Sequence, residues 1–397
     1  MNQFFLMNSI VVNYRIHALG FALLLFAFVP SAGQSIGTLM SKPVKWFSGS
    51  EATRIADNIL LFQRNAGGWV KGNDYFKEYT GAEKQKISYE KQRRDCTFDN
   101  DATHTELSFL AKVYSATKDN RYKDAFYRGI DLIFEAQYEN GGWPQFYPES
   151  HRKWSWDNSQ WNPEGLEHLI TYNDDAMIGV LWLLKRVADS ADGYSFVDAG
   201  RRTKSANAVA KGISCILKSQ FYYEGKRTGW PAQVDEVTFA PRWARSFEPP
   251  SIASRESISI VRFLIGIERP DTKIISSVQS AVKWLNDVKI ENIKLQYGDT
   301  TSVLVAKTGV LHRGRRDVFI VEEKGSAPLW ARFYELNTFR PVFASRDDTV
   351  RYALADISLE RRSGYDWYGP WAEELLSREY PEWCARHNLR DVIRNKE

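Results

Sequence analysis

A Gly-Trp turn that returns three times constrains this chain more than any other feature. It reads Gly67-Gly68-Trp69, then Gly141-Gly142-Trp143-Pro144-Gln145, then Gly229-Trp230-Pro231-Ala232-Gln233, at intervals long enough for one helical hairpin and its loops. Before each turn, apolar residues recur at helical spacing: Ile55, Ile59, Leu60 and Phe62; Ile130, Leu132, Ile133 and Phe134; Val209, Ile213, Ile216 and Leu217. Each stretch reads as a helix stopped by glycine. After each turn a second helix opens on a polar cluster: Asp99-Asn100-Asp101, Asn173-Asp174-Asp175 and Ser254-Arg255-Glu256. The pattern predicts three helix pairs, which can be arranged around an axis.

Acidic and amide side chains suit helix starts, where they cap free N–H groups and meet the positive end of the dipole, so capping alone is one account of these clusters. Capping does not require two runs with two carboxylates apiece. If the equivalent helix starts converge at one end of a toroid, the runs become neighbours and can offer a hard cation such as Ca2+ its oxygen ligands, with an anionic substrate completing the shell.

The 397 residues, 43% hydrophobic, suffice for a large core, and no Pro/Gly/Ser-rich linker divides them. One main domain over 35–397 is expected. Residues 1–34 carry the single charge Arg15, the apolar run Ala18 to Val29 and the small-residue site Pro30-Ser31-Ala32-Gly33, the order of a secretory signal and too short to span a bilayer. A secreted or periplasmic protein without a stable membrane anchor is expected, acting as a monomer. The formal net charge of +4 with no basic arm disfavours nucleic-acid binding. Cys96, Cys215 and Cys384 are too few for a disulfide framework or a zinc site. With 14 Trp, 19 Tyr and 22 Phe, flat aromatic faces are available for sugar rings as well as for the core.

The last third departs from the repeat. After a fourth helix, Lys273 to Asp287, strand-like alternations follow at 303–305 and 317–321, then arginines among aromatics: Arg332, Arg340, Arg346, Arg361 and Arg362. Guanidinium forks bind carboxylates bidentately and stack on rings; ordinary surface ion pairing is the competing account of Arg361 and Arg362. The expected architecture is therefore mainly α, with additional short β-strands and long loops in the C-terminal third.

Taken in order, GGWPQFYP at 141–148, HLITYNDDAM at 168–177, GWPAQVDEVTFAPRWARSFEPPS at 229–251, RESISIVRFL at 255–264, PLWARFYEL at 328–336, and RPVFASRD followed by RRSGYDWYG resemble the pectate lyases of polysaccharide lyase family 10. The resemblance runs over roughly residues 45 to 390 and implies an incomplete (α/α)3 toroid with additional strands and loops, which agrees with the three helix pairs. It also implies a polygalacturonate or pectin substrate and calcium-assisted β-elimination. It implies Arg346 as the base that takes the C5 proton, metal roles for Asp99 and Asp174, and substrate contacts from Asn100, Asn173, Arg245 and Arg332. This chain departs from the family pattern at Asp101, Pro231 and Val234, which bears on subsite detail.

A guanidine base carries a physical burden, because arginine is ordinarily protonated. An alkaline working range is therefore expected, and His104 and His168, beside the acidic runs, are the replacements to test if activity peaks in acid. Two other functions stay open at this point: a glycoside hydrolase on a similar toroid, with paired carboxylates and water, and a noncatalytic pectin-binding homologue.

Overall fold

The structure is a computed structural model and describes residues 35–148, 168–191, 193–305 and 310–394. The signal-sequence reading falls on 1–34, outside the described residues.

Two layers of helices build an open arc. The outer layer is α1 (Ser50–Phe62), α4 (Asn120–Ala136), α6 (Ala199–Ser219) and α8 (Thr272–Asp287); the inner layer is α3 (His104–Thr117), α5 (Ala176–Ala188) and α7 (Ser254–Ile265), with the short α2 (Gly81–Glu90) in the loop before α3. Within each layer, neighbours in sequence order pack side by side. Burial follows the layering. Outer α4 buries one stripe, Tyr122, Ala125, Phe126, Gly129, Ile130 and Ile133 among it, whereas inner α5 buries Met177, Ile178, Val180, Leu181, Leu183 and Leu184 around most of its circumference.

Helix starts differ between the layers in a way that bears on the site. Outer α4, α6 and α8 are capped by aspartates: Asp119, Asp198 and Asp271 accept from the backbone N–H of Arg121, Arg201 and Ile274. No N-cap side chain caps inner α3, α5 or α7. The N-cap position is thus not where these helices use acid, unlike the outer helices.

The Gly-Trp turns are fastened by one repeated device. The indole Nε1–H of Trp69 donates to Ile59 O at 2.8 Å, that of Trp143 to Ile133 O at 2.9 Å and that of Trp230 to Ile216 O at 2.7 Å, each tying the turn to the outer helix it follows. A fourth clasp, Trp330 Nε1–H to Leu285 O at 2.8 Å, shows that α8 has its own turn. Glutamines repeat as well: Gln63, Gln137 and Gln220 each donate to a carbonyl of their own turn and to one of the next outer helix, at 2.7–3.0 Å. At Gly141 the turn passes so near α6 that an added Cβ would lie 2.1 Å from Lys211 O, and its φ of +98° also favours glycine.

Between α8 and the fourth clasp stands an antiparallel hairpin, Ile293–Val305 against Val310–Glu322. It is fixed to the short helix α9 (Leu359–Gly364) by Arg362, whose Nε and Nη2 donate to the two Asp317 oxygens at 2.8 Å. The chain closes on α10 (Tyr380–Arg386). Other described strands are two-residue pieces, among them Ile252–Ala253 paired with Phe333–Tyr334, which brings Arg332 to the start of α7. A second apolar cluster around Phe333, Phe343 and Trp367 supports that region. All three cysteines are free and buried, and no helix among the described residues is long and apolar enough to cross a membrane.

Candidate active site

The two acidic runs share one backbone geometry. Asn100 and Asp101 (φ 49° and 63°) and Asp174 and Asp175 (φ 48° and 59°) are all left-handed, a region that Asn and Asp tolerate best among residues with a Cβ and that concentrates at functional sites. In each run the first residue, Asp99 or Asn173, is buried.

Asp99 forms an ion pair with Lys71 through Oδ2, and Lys71 Nζ also donates to Asn100 Oδ1 at 3.2 Å. Asp99 Oδ1 is buried with no hydrogen-bond partner. At the second run Arg332, 3% exposed, donates from Nη2 to Asn173 Oδ1 (3.0 Å), Asp174 Oδ1 (3.2 Å) and Glu256 Oε1 (2.6 Å). Burial acts to lower its pKa, but Glu256 and the other nearby anions outweigh this and hold it well above the ordinary arginine value. Loss of solvation in the cleft, then the charges of Asp175 and Asp174, push Asp101 above the ordinary carboxylate value, and Asp99 adds to them. The two runs are therefore within electrostatic reach of each other. Beside them a groove of about 800 Å³ continues past Lys71, Asn100 and Asp101 to Tyr75 and Glu106.

The arginines gather on one ring. Buried Phe247 has the guanidinium carbons of Arg361, Arg245 and Arg346 at 4.4, 4.8 and 5.2 Å from its centroid. Arg346 donates to both Glu360 oxygens at 3.2 and 3.3 Å, and Arg361 pairs with the same carboxylate. Arg245 forms a two-point pair with Glu248. Burial lowers its pKa, Glu248 raises it more, and Asp174 contributes to the raised result. Tyr365 completes the connection: its ring lies 5.9 Å from Arg245 and 4.6 Å from Arg332, and its hydroxyl donates to Glu248 at 2.9 Å. A continuous path of contacts thus joins Arg346 to Asp174 through Phe247, Arg245, Tyr365 and Arg332.

Arg245, Arg332 and Arg346 lie on this path, and Asp99, Asn100, Asn173 and Asp174 lie on the neighbouring acidic floor. Arg332 is committed to buried partners. Arg361 is buried beside the ring, not at the surface, while Arg362 makes the ion pair with the hairpin. Lys71, Phe247, Glu248, Glu256, Tyr365 and Glu360 were not expected as site residues; Phe247, Glu248 and Tyr365 lie inside the quoted segments and Glu256 inside the third polar start, while Lys71 and Glu360 had no signal. His104 packs on Gly179, where a Cβ would come within 2.2 Å of its Nε2, and burial pushes it down to about 4. It is a neutral ring in the wall of α3 and α5.

Carboxylate oxygens suit a hard cation, and the unpartnered Asp99 Oδ1 beside mutually repelling Asp101, Asp174 and Asp175 would be relieved by one. Among the described residues no three acidic, histidine or cysteine side chains are grouped closely enough for a protein-only shell. The donors fit a cation shared with an anionic ligand.

A family model described as pectic acid lyase matches residues 63–376. The chain belongs to this family. The lyase is also similar to the solved family 10 polysaccharide lyase from Cellvibrio cellulosa, with 29% identity, a TM-score of 0.69, and 89% of this chain and 97% of that one covered. A second solved structure, an aspartate-to-alanine mutant of the Cellvibrio cellulosa enzyme in complex with trigalacturonic acid, matches at 29% identity and a TM-score of 0.67, covering 88% of this chain and 98% of that one. A search of curated proteins found no match. The lyase shares the helical toroid of its structural neighbour and is a polysaccharide-cleaving enzyme of the pectate lyase class.

Proposed function

We propose that this lyase cleaves polygalacturonate by β-elimination with calcium. The observation that carries the reading is the path from three crowded guanidinium groups on Phe247 to the carboxylates of Asp174 and Asp99, which gives a uronate cationic and metal-binding partners in one cleft.

The C5 proton of a galacturonate unit is weakly acidic, and negative charge builds on the adjacent carboxylate as it leaves. Asp99 and Asp174 would hold Ca2+ together with the substrate carboxylate, and the ion would supply electrostatic stabilisation there. Arg332 fixes the Asp174 side chain and Lys71 fixes Asp99, while Asn100 offers its amide to sugar oxygens and Asn173, whose Oδ1 accepts from Arg332 and whose Nδ2 donates to Asp174 at 2.9 Å, has one amide N–H left for them. Arg346 in its neutral form, held by Glu360 against Phe247, takes the C5 proton; the C5–H electron pair becomes the C4=C5 double bond, the C4–O bond breaks, and the departing oxygen takes a proton from solvent water. The products are 4,5-unsaturated oligogalacturonides.

Arg245 is a second reading for the base. It is favoured because its side chain is 39% exposed against 22% for Arg346. Against it stands the tight grip of Glu248.

The experiment follows ultraviolet absorbance on polygalacturonate for the parent, Arg346→Lys and Arg245→Lys, with and without chelator. The expected result is chelator-sensitive absorbance in the parent and a loss of about a hundredfold or more in Arg346→Lys. Full turnover in Arg346→Lys with loss in Arg245→Lys would move the base to Arg245, and reducing ends without absorbance would replace elimination by hydrolysis. Export of the protein belongs to the same reading, and N-terminal sequencing of the mature form, expected to begin near residue 35, tests it.

A further inference from the structure

A second groove, of about 700 Å³, shares no lining residue with the acidic cleft. Its rim is the hairpin Tyr222–Tyr223 against Lys226–Arg227, turned by Glu224 and Gly225 in left-handed conformations (φ 48° and 75°), the requirement of a tight two-residue turn. Tyr222 and Arg227 are directly opposite each other, so their side chains share a face. The Arg227 guanidinium lies 5.2 Å from the Tyr222 ring and donates to Ser276 Oγ at 3.3 Å, while its Nε has no hydrogen-bond acceptor. Tyr222 is 52% exposed, so its ring is open to a ligand.

The rest of the groove suits the same kind of ligand. Thr228, Ser276, Ser280 and Thr338 line it with hydroxyls. Tyr223 meets Phe339 edge-on at 5.5 Å, which holds the far side rigid. Of the two acids in the lining, Asp287 is paired with Lys283 at 2.8 Å and Glu224 sits at the turn beside Lys226. The inner wall is Trp284, whose ring meets Tyr334 at 5.5 Å, two residues from Arg332. The groove therefore backs onto the layer that carries the cleft, with its own opening.

We propose that this groove is a second binding site for an acidic sugar chain, with the Tyr222 ring as the platform for the C–H face of a sugar and Arg227 as the partner of its carboxylate. The inference rests on the polygalacturonate reading of the cleft and extends it. A polymer bound at both places is held more tightly than at either alone, whereas a trimer occupies only one.

The test compares the parent with Tyr222→Ala, Arg227→Gln and the ring-retaining Tyr222→Phe. Migration in gels containing polygalacturonate is measured, along with turnover of polygalacturonate and of trigalacturonate. The expected result is roughly three- to tenfold weaker retention and a higher KM on the polymer for Tyr222→Ala and Arg227→Gln, parent-like behaviour for Tyr222→Phe, and unchanged trigalacturonate turnover in all three. Polymer retention equal to the parent in both disruptive variants overturns the proposal, as does equal retention by fully methyl-esterified pectin, which lacks the carboxylates. If the parent forms no unsaturated product yet is retained by the polymer and released by Tyr222→Ala, the groove stands and the elimination reading falls.

Discussion

Glu106 shows how one buried side chain can make the whole fold sensitive to pH. It lies on α3 beyond the acidic floor, accepts from the Tyr75 hydroxyl at 2.8 Å and has a second oxygen, Oε2, without a partner. Burial pushes its carboxyl up to about 7 from 4.5. The folded chain resists ionising this group while the unfolded chain does not, so its contribution to stability is intact below 4.5 and is lost as the pH rises towards 7. Glu106→Gln should remove that slope, gaining on the parent by up to about 3 kcal/mol between pH 4.5 and pH 8; urea unfolding at the two pH values measures it, and a constant difference would contradict it. Nothing in the sequence marked this residue, because a glutamate in the first turn of a helix reads as a favourable dipole partner until its burial is known. Arg346, Asp99 and Asp174 were legible as motif residues. Glu248 and Glu360, the carboxylates that hold the arginines in place, were not: Glu248 is three residues from Arg245 and Glu360 is next to Arg361, but nearness in sequence does not tell a buried clamp from an ordinary surface ion pair.

At the level of elements, the turns and their helices were the most legible part of the chain. The Gly-Trp repeat and the apolar spacing locate α1, α4 and α6 and the inner helices after them, and the fourth helix predicted from Lys273 begins at Thr272. The fourth turn escaped notice for two reasons: Pro328-Leu329 stands where the others carry glycine, and the long hairpin separates Trp330 from α8. The repeated glutamines were present in the sequence beside each turn but carry meaning only when both acceptor carbonyls are known. Gln220 is the most committed of them, donating to Thr228 O at 2.7 Å and Ser277 O at 3.0 Å and accepting from the Ser277 hydroxyl at 2.8 Å. Gln220→Leu should leave these buried groups without partners and cost roughly 3 kcal/mol, read as a fall in the denaturant midpoint with an unchanged slope. An unchanged midpoint would mean that water replaces the amide.

Across the whole molecule, the three inner helices begin at the same cleft, so the positive ends of their dipoles face the acidic floor and offset part of its charge. The outer caps and the uncapped inner starts are two uses of the same residue types: aspartate closes a helix on the outside and on the inside faces the side chains of the cleft, Lys71 at Asp99 and Arg332 at Asp174. Because the layers are built from neighbour-to-neighbour packing, middle pairs have support on two sides and end pairs on one. Hydrogen exchange should therefore protect α5 and α6 longer than α1, with protection differing by at least about tenfold; uniform protection would indicate one all-or-none unit. The indole clasps carry a further consequence for how such an arc can change in length. Each is made between a helix and the turn that follows it, so a hairpin inserted by duplication would bring its own fastening with it, and the arc could grow or shrink by whole units while every surviving joint kept its geometry.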